Sequence, residues 1–228
     1  MLSGGKKMAA NRSIQTMGDQ VYTILRKDIC EGRFAPGARL QEIELSEALG
    51  VSRSPVREAL RRLVSDGLLY IVPNKGTYVK EFTCQDIDEI FDMRVMLESY
   101  SISRSQKSMT PEHKQQLLDI LQMLEKTHAE NNVEQYTRAD EELHDAIVAL
   151  GDNSLVNSTY ARVRSMNQQF RVFSLADRTR FDDSLEEHRK IIHALTHGET
   201  EEADRINRTH LELACQCIKD QLQKNGTA

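Results

Sequence analysis

Apolar positions recur every three or four residues along most of the chain, and the pattern departs from a helical period only once. Val21, Ile24, Leu25 and Ile29 share one helical face, which stops at Gly32. Phe34-Ala35-Pro36-Gly37 predicts a turn. Ile43, Leu45, Ala48 and Leu49 predict a second helix ending at Gly50, a residue suited to a left-handed helix end. Ser52 or Ser54 then caps a third helix, in whose first turn Pro55 is tolerated because those N–H groups have no internal partner. Val56, Ala59, Leu60, Leu63 and Val64 form its apolar face and Gly67 its end. Leu68 to Val72 and Thr77 to Lys80 are β-rich runs around Pro73-Asn74-Lys75-Gly76, a hairpin signature.

From Asp86 onward the period is helical throughout and predicts about six amphipathic helices. The first covers Asp86–Lys107. Thr110-Pro111-Glu112 opens the second, which carries Leu117, Leu118, Leu121 and Leu124. Val133–Leu150 follows, closed by Gly151, then Ser154–Leu175, Ser184–Thr196 stopped by Gly198, and Thr200 to about Leu222. No internal repeat or heptad is present, and the short connections predict an antiparallel bundle. The fold class is therefore mainly α: an N-terminal winged helix-turn-helix over residues 13–80 and a C-terminal antiparallel helical bundle over 81–228, behind a disordered leader of residues 1–12.

Composition changes this picture in two ways. No apolar run approaches the roughly 20 residues of a membrane span, and the first residues, with Lys6 and Lys7, have no apolar stretch to serve as a secretory signal. A cytoplasmic protein with four reduced thiols (Cys30, Cys84, Cys215 and Cys217) is expected, since their spacing matches no disulfide framework. The overall charge of −5 conceals a division: residues 1–80 hold 13 lysines and arginines against 8 acidic residues (+5), whereas the rest holds 17 against 27 (−10). A basic head on an acidic body suits phosphate contact by the head.

A short helix, a Gly-containing turn and a serine-capped second helix make a helix-turn-helix, whose second helix enters the major groove by its N-terminal end. Here that end is Ser52-Arg53-Ser54-Pro55-Val56-Arg57. Arg53 and Arg57 are four residues apart, on the face opposite Val56, Leu60 and Leu63, and a guanidinium fork suits a guanine edge or a phosphate. Ser52, Ser54 and the exposed N–H groups suit phosphate oxygens. Lys75 and Gly76 lie at the hairpin tip, where a cation and a bare backbone can approach the minor groove. Arg61 and Arg62 are expected only to solvate the helix, pairing with Glu58 and Asp66.

Gly37-Ala38-Arg39-Leu40, the run Leu45-Ser46-Glu47-Ala48-Leu49-Gly50-Val51-Ser52-Arg53-Ser54-Pro55-Val56-Arg57-Glu58-Ala59-Leu60, and Leu63-Val64-Ser65-Asp66-Gly67-Leu68-Leu69 together resemble the winged-helix domain of the GntR family across residues 19–80. The resemblance implies that Arg39, Ser52, Arg53, Ser54, Arg57 and Gly76 contact operator DNA. Ile43 departs from the pattern, standing where a DNA-binding arginine can occur.

In the bundle the informative residues are polar ones on apolar faces. Tyr136, Asp140, Leu143, His144, Ile147 and Leu150 form one stripe, and Asp140 and His144, four apart, project together. His188 lies among Leu185, Ile191, Ile192 and Leu195, and His210 among Ile206, Leu213 and Cys217. His113, His128, His193 and His197 read as surface or cap positions. A buried carboxylate without a partner is costly, and a divalent cation resolves this by taking neutral imidazole nitrogens and a charged oxygen at once. Zinc first, with nickel, manganese and iron(II) also compatible, suits such an N₃O set, and an open coordination position could take a carboxylate or hydroxyl.

Residues 84–224 resemble the FCD ligand-binding domain of the FadR subfamily, in its shorter six-helix class, through Arg94 with Leu97-Glu98, Asp140 with His144, Glu187-His188, and His210. The resemblance implies that Asp140, His144, His188 and His210 are metal ligands, that Arg94 faces the effector pocket, and that the protein is a homodimer on palindromic double-stranded operator DNA. It implies further that a small organic acid relieves repression of catabolic genes. An i, i+4 ion pair with Glu98 is the alternative use of Arg94. Two other function classes stay open on the residues: a metal-dependent hydrolase in the C-terminal domain, and a DNA-binding protein whose C-terminal domain only dimerises around a vestigial site.

Overall fold

The computed structural model describes residues 15–168, 170–175 and 178–224, so the expected leader lies outside the described residues. In the head, α1 (Met17–Cys30), α2 (Glu42–Leu49) and α3 (Arg53–Ser65) are accompanied by β1 (Arg39–Leu40), β2 (Leu69–Val72) and β3 (Gly76–Val79). The strands form an antiparallel sheet in the order β1-β3-β2, with Arg39 opposite Tyr78 and Val72 opposite Gly76. β1 was not read from the sequence, since two residues are too few to show alternation; Gly37 N–H donates to the Val79 carbonyl (3.0 Å) and Val79 N–H to that of Ala38 (2.9 Å). The hairpin turns through Asn74, at φ 62°, and Gly76, at φ 118°, where a Cβ would come within 3.1 Å of Arg39 Nε. Val21, Leu25, Ile29, Leu45, Val56, Leu60, Leu63 and Val79 close one core between the three helices and the sheet.

α1 starts with a reciprocal cap: Thr16 Oγ1 accepts from Asp19 N–H while Asp19 accepts from Thr16 N–H. Thr83 and Asp86 repeat this at the start of the helix Cys84–Ser108. α2 ends at Gly50 in the left-handed conformation (φ 65°). Ser52 is the N-cap residue of α3, without a side-chain cap bond, which leaves its hydroxyl uncommitted.

The body consists of α4 (Cys84–Ser108), α5 (Pro111–Ala129), α6 (Val133–Ala149), α7 (Ser154–Asn167), α8 (Arg171–Ser174), α9 (Arg178–His197) and α10 (Thr200–Lys224). α5 and α6, and α9 and α10, pack against each other across connections of three and two residues, which requires them to run antiparallel. Two corrections concern the helix count. The helix expected over Ser154–Leu175 breaks after Asn167 into α7 and the single turn α8, and α9 begins at Arg178 rather than Ser184. At the break Phe170 packs edge-on against Phe82 (4.7 Å between ring centroids) and Arg171 turns inward to Asp140. Both contacts are gained by leaving the straight helix.

Head and body touch. Arg26 donates to Ser165 Oγ at 3.2 Å, and Gly67, at φ 78°, has Met166 Sδ where a Cβ would stand, 2.7 Å away. All four cysteines are free thiols. No helix of the described residues is long and apolar enough to cross a membrane.

Candidate metal centre and nucleic-acid interface

The period of α6 places Tyr136, Asp140, Leu143, His144 and Ile147 on one buried stripe. α9 brings His188 among buried Leu185, Ile191, Ile192 and Leu195, and α10 brings His210 beside buried Asn207, Leu211 and Ala214. Leu213, expected on the face of His210, is exposed instead. Asp140, His144, His188 and His210 are all buried, and one donor atom from each lies within 4.8 Å of the others. His188 Nε2 is 3.1 Å from Asp140 Oδ1 and 3.4 Å from His210 Nε2, and His144 Nε2 is 3.6 Å from Asp140 Oδ1.

The outer nitrogens decide what the inner ones are. His144 Nδ1 lies 2.9 Å from Glu98 Oε2 and His210 Nδ1 2.7 Å from Glu187 Oε2, so each donates its proton to a carboxylate. His188 Nδ1 lies 3.1 Å from the Tyr136 hydroxyl, which donates to Ser184 Oγ (3.2 Å). A neutral imidazole carries one N–H, so with the proton on Nδ1 each ring can present its Nε2 lone pair to a bound cation, whereas without one the His188 Nε2 proton is within reach of Asp140 Oδ1. His144 Nε2 is buried with no hydrogen-bond donor facing it. A cluster of lone pairs and a carboxylate is satisfied by a cation. Donors about 2.1 Å from one ion stand roughly 3 to 4 Å apart, as do the pairs separated by 3.1, 3.4 and 3.6 Å here. The four residues therefore fit a divalent cation, and each histidine has the outer partner that fixes the tautomer of a metal ligand.

Arg171, which sequence reasoning missed, donates from Nε to Asp140 Oδ2 at 2.6 Å. Burial pushes the Asp140 carboxyl upward, but the Arg171 guanidinium and the imidazole contacts hold it well below the ordinary carboxylate range. Burial lowers His188 and, with the neighbouring imidazoles, takes His210 well below the ordinary histidine value. A folded-state pKa below the unfolded one means that the unfolded chain binds more protons, so stability present above about pH 6.5 is lost as the pH falls toward the folded values. In chelator-treated protein the urea midpoint is thus expected to fall between about pH 7 and about pH 5.5, and the fall to flatten when His188 and His210 are both glutamine. A midpoint that rises on acidification would mean that the folded state holds these imidazoles charged.

Arg94 pairs with Glu98 (Nε to Oε1, 3.0 Å), the i, i+4 alternative, but with both side chains buried, 3% and 0% exposed. Its Nη2 has no hydrogen-bond partner, and Arg94 lines a small cavity with Asp140, His144, Asn167 and Arg171. Glu98, Tyr160, Glu187 and Asn207 complete the site from four helices. No local signal marked Arg171, since an arginine within Phe170-Arg171-Val172-Phe173 is ordinarily left to solvent.

In the head, Ser52, Arg53, Ser54 and Arg57 are all exposed at the start of α3, as are Arg39 and, at the turn between β2 and β3, Lys75. Gly76 is half-buried under Arg39. Arg57 and Arg53 also pair with Glu42 of α2, and the pairing expected of Arg62 is corrected. Arg62 pairs with Asp19 (2.6 Å) and lies over the Tyr22 ring, whose hydroxyl takes Asp66. His128, expected on the surface, is half-buried and stacks on Phe181 at 4.6 Å.

Known protein families match both parts of the chain. Residues 17–79 match the family model of bacterial regulatory proteins, gntR family, and residues 89–213 match that of the FCD domain. The HTH-type transcriptional regulator YdhC of Bacillus subtilis is 30% identical over 210 residues, covering 90% of this chain and 92% of that protein. The HTH-type transcriptional repressor RspR of Escherichia coli is 26% identical over 212 residues, covering 93% of each. A crystal structure of a GntR transcriptional regulator from Rhodococcus sp. RHA1 superposes with a TM-score of 0.74 at 29% identity, covering 88% of this chain and 96% of that one. These are regulators rather than enzymes. The chain belongs to the gntR family of bacterial regulatory proteins, as a DNA-binding transcriptional regulator whose winged helix-turn-helix is followed by an FCD domain.

Proposed function

We propose that the protein is a cytoplasmic, homodimeric repressor of catabolic genes, with a DNA-binding domain in residues 13–80 and an effector-binding, metal-binding and dimerisation domain in 81–228. Arg39, Ser52, Arg53, Ser54, Arg57, Lys75 and Gly76 contact a palindromic operator. Asp140, His144, His188 and His210 hold a divalent cation, zinc first among the candidates, and a small organic acid is the effector. The observation that carries the sensing half is the convergence of three imidazoles on one buried carboxylate. A bound cation would supply open coordination positions for the acid's oxygens. Arg94, with its buried unpartnered Nη2, is placed to pair with a carboxylate entering the same cavity. The repressor sense follows RspR, a repressor by name.

Two features support regulation through a dimer. Met96, Tyr100 and Leu155 are exposed on α4 and α7, with Tyr100 joined to Asn153 across the two helices, an apolar face that a second copy would cover. Asp140 also reaches the head in few steps. Arg171 lies 3.7 Å from Glu141, Gln168 donates to Glu141 at 3.5 Å, and the Cys30 thiol of α1 lies 3.9 Å from Gln168. An effector that binds one arrangement of heads better than another would change the spacing of the two recognition helices.

The DNA half is tested by mobility shift on a duplex that the wild-type protein enriches from a randomised pool. Arg53→Ala with Arg57→Ala is expected to weaken binding at least about tenfold. Unchanged affinity would reject the assignment of α3.

A further inference from the structure

Glu42 is the first residue of α2, and attraction to phosphate alone would not place an acid beside the recognition helix. Its carboxylate nonetheless accepts from both arginines there. Arg57 Nε lies 2.9 Å from Oε1 and Arg57 Nη2 2.8 Å from Oε2, while Arg53 Nη2 lies 3.4 Å from Oε2. The two short bonds engage the side edge of the Arg57 guanidinium, using Nε–H and one hydrogen of Nη2. The terminal edge, formed by Nη1 and the other Nη2 hydrogen, stays available. That edge matches the two acceptors a guanine presents in the major groove.

Arg57 is half exposed, with 49% of its side chain accessible, and without a clamp it would sample many rotamers and lose them on binding. Each partner also favours the charge of the other: Arg57 lowers the Glu42 carboxyl, and Glu42 raises the Arg57 guanidinium. A fixed negative charge this close to a duplex opposes every sequence alike, and only a sequence that rewards the oriented Arg57 offsets the opposition.

We infer that Glu42 is a specificity-determining positioning residue, which holds Arg57 by its side edge for reading a base and disfavours duplexes that lack the matching guanine. The inference rests on α3 being the recognition helix. Its test uses the full chain with two probes, the duplex enriched by wild type from a randomised pool and the unselected pool itself. Glu42→Gln is expected to bind the unselected pool more tightly and the enriched duplex less tightly, narrowing the preference about tenfold. Glu42→Asp keeps the charge on a shorter stem, and should lose discrimination without the gain on unselected DNA. In an Arg57→Ala background Glu42→Gln should leave the preference nearly unchanged, and matching thermal melts exclude misfolding as the cause. If Glu42→Gln shifts both probes by one factor, or narrows the preference equally without Arg57, then Glu42 is a repelling charge and the clamp is overturned. If Arg53→Ala with Arg57→Ala leaves the preference intact, the recognition-helix reading fails, and the clamp with it.

Discussion

Glu98→Gln is expected to cost the protein about 3–5 kcal/mol of stability, the loss typical of removing one member of a buried charge pair. The Glu98 carboxylate is fully buried and accepts from Arg94 Nε (3.0 Å), His144 Nδ1 (2.9 Å), the Tyr160 hydroxyl (3.0 Å) and Asn207 Nδ2 (2.9 Å). These donors belong to α4, α6, α7 and α10, so one side chain ties four helices. A carboxylate can accept all four, whereas an amide offers one oxygen and turns its own N–H groups toward two of the donors. It also leaves the Arg94 guanidinium buried without a counterion. Burial acts to raise the Glu98 carboxyl, but the adjacent His144 and Arg94 outweigh it and hold the pKa below the ordinary carboxylate value. Such a lowered pKa contributes stability present above the unfolded value near 4.5 and lost only as the pH falls toward the folded one, so the full effect is available at neutral pH. Urea unfolding in chelator should show a lower midpoint at an unchanged slope. Because His144 loses the acceptor of its Nδ1 proton, metal affinity should fall about 10- to 100-fold as well. A loss below about 1 kcal/mol would show that the four donors find other partners.

What could be read from the sequence follows how local each determinant is. The recognition helix was legible because its cap, its apolar face and its two arginines lie within thirteen residues of α3. The four inward ligands were legible for a related reason: Asp140 and His144 share a helical face by spacing, and His188 and His210 fall on helical faces that carry apolar residues. The surroundings of those ligands were less legible. Arg171 reaches Asp140 from α8, and Tyr160 and Asn207 meet at Glu98 from α7 and α10, which nothing in the local spacing of those helices indicates. The pairing of Arg62 failed the same way. Asp66 is close in sequence, but the folded head offers Asp19 at better geometry, 43 residues away, just as Glu42 reaches Arg57 from 15 residues away. The break after Asn167 was hidden because the apolar pattern runs on through Phe170 and Leu175. Only the contacts with Phe82 and Asp140, made from elsewhere in the chain, favour ending the helix there.

Zinc or nickel added to chelator-stripped protein is expected to raise its stability by about 4 kcal/mol once the free ion stands about a thousandfold above its dissociation constant. The increment arises because the folded state presents Asp140 Oδ1 and three Nε2 atoms already gathered, whereas the unfolded chain scatters them over 71 positions of sequence. Thermal or urea unfolding with and without the ion reads it directly. Each variant is compared with its own stripped form, so a loss of packing in that form cancels. Asp140→Asn and His188→Ala should each remove most of the increment, the first by deleting the one anionic ligand and the second by opening the pair of imidazoles 3.4 Å apart. Arg171→Ala, which touches only the outer oxygen of Asp140, should reduce the increment while leaving some of it. The competing location is also visible. His193 and His197 stack at 4.1 Å between ring centroids on the exposed face of α9, and an i, i+4 pair of that kind can capture a transition metal by itself. His193→Ala is therefore the control: the increment should survive it nearly intact. Should it vanish there and persist in Asp140→Asn, the buried cluster would be a hydrogen-bonded core rather than a metal centre.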